Sequence, residues 1–129
     1  MKHTVKKFFE QYNPAVIGCV FHDLDYYSST KSSLELFNEN EKHFLPRSFH
    51  YFDDIIGNDV VLYSEWTGER LAINEFNKSS DTKKFDNCYH LTTMPNALNW
   101  YHQIRILHLF NHPNYCDFVS DEDQQIPIK

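Results

Sequence analysis

Four aspartates carry the chemistry this sequence offers. Asp23 and Asp25 stand two apart in His22-Asp23-Leu24-Asp25-Tyr26-Tyr27, and Asp53 and Asp54 are adjacent after Phe49-His50-Tyr51-Phe52. Each pair closes an apolar run. Side chains alternate across a strand, so Asp23 and Asp25 leave on one face if the strand persists that far. In an open parallel sheet, ligands bind in the crevice outside the carboxyl ends of the strands, where both pairs would fall. Carboxylates crowded there raise one another's pKa unless a cation or hydrogen-bond donors offset the charge. A divalent ion with oxygen ligands meets that demand, and Mg2+ takes one or two protein carboxylates plus waters and substrate oxygens. The same residues admit a plainer reading, in which Asp25 or Ser28 caps the next helix and Asp54 opens a turn.

The elements that must position these groups are legible in outline. Val5, Phe8, Phe9 and Tyr12 follow the spacing of one helix face, and Asn13-Pro14 stops that helix. Ala15 to Phe21 is a continuous apolar run with β-branched Val16, Ile17 and Val20, as in a parallel strand buried on both faces. Ser28, Ser29 and Thr30 offer N-caps for a helix that carries Leu34 and Phe37 inward. Phe49 to Phe52 then completes a strand–helix–strand unit, whose right-handed crossover makes its two strands parallel. Glu69 to Phe76 reads as a helix, Phe85 to Thr93 as a weak strand, and Trp100 to Phe110 as a strand ended by Asn111-His112-Pro113.

Composition narrows the class. At 129 residues the chain is expected to be one domain, residues 1–116, with an acidic polar tail over 117–129. The formal charge of −6 and the lack of a Lys/Arg block argue against nucleic acid; Lys2, Lys6 and Lys7 suit the solvated face of a first helix. No apolar window approaches the length that spans a membrane, and no leader sequence is recognisable. Cys19, Cys88 and Cys116 form no C-x-x-C pair, and Cys19 reads as a small core residue. A reducing cytoplasm is the expected compartment. His108 and His112 lack the adjacent Glu of H-E-x-x-H, so zinc is not supported there.

Read in order, Asp23-x-Asp25-x-Tyr27-x-x-Thr30, Phe52-Asp53-Asp54 and Gly68-Glu69-Arg70-x-Ala72-x-x-Glu75-Phe76 resemble the macrocin O-methyltransferase-like family. Leu109-Phe110-Asn111-His112-Pro113-x-Tyr115 resembles the end of some members. These are class I, S-adenosylmethionine-dependent and Mg2+-dependent methyltransferases. The resemblance implies that Asp23, Asp53 and Asp54 hold the metal and that Asp25 takes the proton of a substrate hydroxyl on a small molecule or sugar. Tyr27, Tyr63 and Trp66 flank that site as candidate substrate contacts.

The resemblance covers about Val16 to Tyr115 and corresponds to the C-terminal half of a Rossmann-like class I methyltransferase fold. The fold expected is therefore α/β, with a mostly parallel sheet whose late strand can run antiparallel. The Gly-rich turn and the acidic residue that bind S-adenosylmethionine in the family's first half have no counterpart here, since the only glycines are Gly18, Gly57 and Gly68. Two readings follow. Either the chain supplies metal and base residues to an enzyme completed by a homodimer partner or a complementing chain, or it is a non-catalytic remnant serving as an interaction module.

Overall fold

A computed structural model describes residues 2–38, 41–55 and 64–117; Tyr63, Gly57 and the tail beyond Asp117 lie outside the described residues. The chain runs α1 (Lys2–Tyr12), β1 (Ile17–His22), α2 (Tyr27–Leu34), β2 (Phe44–Phe52), α3 (Gly68–Ser79), β3 (Lys83–Asn87), α4 (Tyr89–Thr92) and β4 (Ile104–Leu109). Short 3-10 turns at Glu35–Asn38, Glu41–His43 and Asn99–Gln103 join some of them. Among the described residues, no helix is long and apolar enough to cross a membrane.

The sheet is mixed, in the order β1-β2-β4-β3. β1 and β2 pair in parallel through α2, as the strand–helix–strand reading requires. β4 is antiparallel to both of its neighbours, so β1, β2 and β3 point one way and β4 points back. The sheet thus contains one parallel pairing and two antiparallel ones, rather than a mostly parallel ladder.

Register sorts the side chains between two faces. His22 lies beside Phe52, His50 beside Arg105, and Phe85 beside Leu107, on the face covered by α2 and α3. There Leu34, Phe37, Phe52, Ala72, Phe76, Phe85, Leu107 and Leu109 form the core. Phe37 is its hub, with ring centroids 5.0 Å from Phe44, 5.9 Å from Phe85 and 6.4 Å from Phe76.

Several expectations are corrected. Among the described residues β1 is an edge strand, and it is not buried on both faces: Phe21 remains 76% exposed. Cys19 alternates onto the same open face and is exposed, not a core residue. Ser28, Ser29 and Thr30 lie inside α2; its N-cap is Tyr26, which makes no side-chain cap bond. β2 begins five residues earlier than its apolar stretch, at Phe44 instead of Phe49, and so includes Pro46. Pro46 falls where the β1 register slips between Ile17 and Cys19, and outside the β4 ladder. A missing N–H is tolerated at such a bulge.

Candidate metal and base site

The two acidic segments emerge from the carboxyl ends of the parallel pair, and a backbone bond ties the strand ends together. The Asp53 N–H donates to the His22 carbonyl at 3.0 Å. β1 stops at His22, before Asp23, so strand alternation does not aim Asp23 and Asp25. A tight turn does so instead, with Asp25 in the left-handed region at φ 52°. Asp tolerates that conformation better than most residues, because its short side chain can bond locally. The Asp25 N–H donates to Asp54 Oδ2 at 2.9 Å, which fixes the two loops to each other.

Asp23, Asp25 and Asp54 each place one carboxylate oxygen within 4.8 Å of the others. Asp23 and Asp25 are exposed and Asp54 is half-buried. Among the described residues, no Lys or Arg pairs with any of the three. Burial raises the Asp54 pKa, and the charges of Asp25, Asp53 and Asp23 raise it further against the opposing Asp25 N–H. Asp53 stands apart from this group. Its Oδ1 accepts the Tyr51 hydroxyl at 2.8 Å, and its carbonyl accepts the Gln103 amide.

Beneath the cluster lies a further carboxylate, beyond the four aspartates. Glu69, in the first turn of α3, is 1% exposed. Its Oε2 accepts the Asp54 N–H at 3.1 Å, and Oε1 lies 3.5 Å from the Thr30 hydroxyl. Burial pushes its pKa up to about 7, with Asp54 and Asp53 adding to the rise. Glu69 therefore anchors the Asp54 loop to both helices. Gly68-Glu69-Arg70 was the available signal, since an acidic residue opening a helix can bond neighbouring backbone amides.

The flanking aromatics divide. Tyr27 is half-buried; its hydroxyl donates to Glu75 Oε2 at 2.7 Å and accepts from Lys31 Nζ at 2.8 Å. Those bonds hold it between α2 and α3. Trp66 is 73% exposed, with Lys78 Nζ 5.5 Å from its ring centre. His22 and His50 sit under the strand ends as a buried pair, Nε2 to Nδ1 at 3.0 Å. His22 also stacks on Phe52 at 4.2 Å. Since the Ser33 hydroxyl donates to the Thr30 carbonyl at 2.8 Å, it is left to accept from His22 Nδ1. His50 Nδ1 then donates to His22, and the Ser48 hydroxyl donates to His50 Nε2 at 2.9 Å. Both rings are neutral, and burial lowers the His22 pKa to about 4 and that of His50 further.

Comparison of this chain with protein-family models, curated proteins and solved structures gave no match.

Proposed function

We propose that the chain supplies the metal and base residues of a Mg2+-dependent O-methyltransferase related to the macrocin O-methyltransferase-like enzymes, acting on a hydroxyl of a small molecule or sugar. The observation that carries this reading is the convergence of Asp23, Asp25 and Asp54 at the carboxyl ends of two parallel strands joined by a helix. A late antiparallel strand, β4, also fits what the resemblance leads one to expect of the sheet.

The donors suit a hard divalent cation. Mg–O distances of about 2.1 Å put ligand oxygens roughly 3 to 4 Å apart around the ion, so oxygens already within 4.8 Å need only small side-chain rotations. Asp23 and Asp54 would hold the ion. Asp53, the third ligand implied by the resemblance, would have to turn from the Tyr51 hydroxyl to join them. A bound cation would acidify a substrate hydroxyl and fix its approach. Asp25, exposed and within the cluster, would take that hydroxyl's proton. Glu69 and the Asp25 N–H hold Asp54 in position. Trp66, with an exposed ring, is a candidate substrate contact, and Tyr27 steadies α2 against α3.

S-adenosylmethionine would be held beside β1 by a second copy or a complementing chain. Among the described residues, β1 is the sheet edge nearest the cluster, and unpaired edges invite strand addition. A non-catalytic interaction module is the competing reading, favoured by the exposed Val16 and Phe21 along that edge. Calorimetry with S-adenosylmethionine in the presence of Mg2+ separates the two. Cofactor binding that requires Mg2+ or a second subunit supports the enzyme. No cofactor binding at any protein concentration excludes completion by a second copy, and no Mg2+ binding with it supports the module.

A further inference from the structure

A second polar cleft, of about 560 Å3, opens between α3, the end of β3, α4 and the start of β4. Because β2 and β3 run the same way and β4 begins where they finish, it lies at the carboxyl-end side of the sheet, as the aspartates do. Its size suits a small metabolite. Two guanidiniums line it, Arg70 from α3 and Arg105 from β4.

Their surroundings differ. Arg70 Nη1 pairs with Glu65 Oε1 at 2.9 Å. Arg105 is half-buried and donates to the neutral Asn87 amide oxygen. Among the described residues, no carboxylate reaches ion-pair distance of Arg105; Asp86 lines the cleft but does not close on it. Burial and the nearby Arg70 charge both disfavour the Arg105 cation, against weaker support from Glu65 and Asp86. A desolvated guanidinium facing a cleft and lacking a counter-ion is a fork that matches an oxyanion in two parallel bonds. The Tyr89 hydroxyl and the His102 ring line the same space and make no hydrogen bond among the described residues. They are available to hydroxyls beside that anion.

We propose that this cleft binds a small hydroxylated molecule through a single phosphate or carboxylate group seated on Arg105. The site does not depend on methyl transfer or on a metal at the aspartates.

The test uses calorimetry on the full chain at low salt, with glucose 6-phosphate, glucuronate and glucose as probes. One or both anionic probes should bind one per chain, and glucose should bind at least about ten-fold more weakly. Arg105→Gln should weaken the anionic probe by about ten-fold or more. Asn87→Asp gives Arg105 a permanent carboxylate and should weaken the probe similarly without lowering thermal stability, which separates lost binding from lost folding. No binding of either anion, glucose binding as tightly as the anions, or an Asn87→Asp chain that binds as the wild type does would each overturn the proposal.

Discussion

At the scale of single residues, the site is a set of carboxylates with distinct environments. Asp25 occupies a left-handed backbone conformation, so Asp25→Asn keeps the turn, while Asp25→Ala should cost about 1 kcal/mol in unfolding free energy. Asn is therefore the variant with which to probe its role as base. Glu69 behaves differently, because it is buried beside other acids. Its folded pKa of about 7 lies above the ordinary value of 4.5, so folding favours its protonated form. The resulting penalty is absent below pH 4.5, grows as pH rises, and is complete above pH 7. Glu69→Gln keeps an acceptor for the Asp54 N–H and should stabilise the protein at pH 8 by up to about 3 kcal/mol. At pH 4 it should change little. Denaturant unfolding at the two pH values measures the difference.

At the scale of elements, α3 joins the site to the core, since Glu69 reaches Asp54 while Ala72, Ile73 and Phe76 pack inward. It starts at Gly68, whose φ of 55° favours glycine. Gly68→Ala should cost about 1 kcal/mol and loosen the Glu69 anchor, which amide exchange at Asp54 would report. This helix was legible over Glu69 to Phe76, where apolar Leu71, Ile73 and Phe76 follow the Gly68 turn; its polar last turn, to Ser79, was not. β2 was only half legible: the apolar stretch Phe49 to Phe52 marks its second half, and nothing local announces that a bulge accommodates Pro46 in the first. β1 was found, but an apolar run does not say which of its faces will be covered, so Cys19 and Phe21 were misplaced. β3 (Lys83–Asn87) was partly legible: the strand expected over Phe85 to Thr93 starts two residues earlier and gives way to α4 at Tyr89, and pairing with β4 and the Asn77 amide at Phe85 hold its polar residues in place. The grouping of Asp23, Asp25 and Asp54 at the strand ends was readable. That Asp53 turns aside was not, because its bonds to the Tyr51 hydroxyl and the Gln103 amide depend on how β2 ends and where β4 begins.

At the scale of the whole molecule, one aromatic core supports one sheet face, and buried neutral histidines lie within it. Phe37→Ala should remove about 3 to 5 kcal/mol of stability, since the ring touches elements across the sheet. His22 and His50 have folded pKa values below the ordinary 6.5, so protons bind the unfolded chain more readily. Their stabilisation is complete above pH 6.5 and falls with acid by about 1.4 kcal/mol per pH unit for each ring. With Glu69 acting in the opposite direction, these three groups place maximum stability near pH 7, testable by urea midpoints from pH 5 to 8.

The central claim is that the aspartates at the β1 and β2 ends hold a divalent cation, and a calorimetric Mg2+ titration of the wild type and Asp54→Asn tests it most directly. The account predicts one Mg2+ per wild-type chain and an affinity at least about ten-fold weaker in Asp54→Asn, with the fold retained. Failure of the wild type to bind Mg2+, or equal affinity in the two proteins, would contradict it.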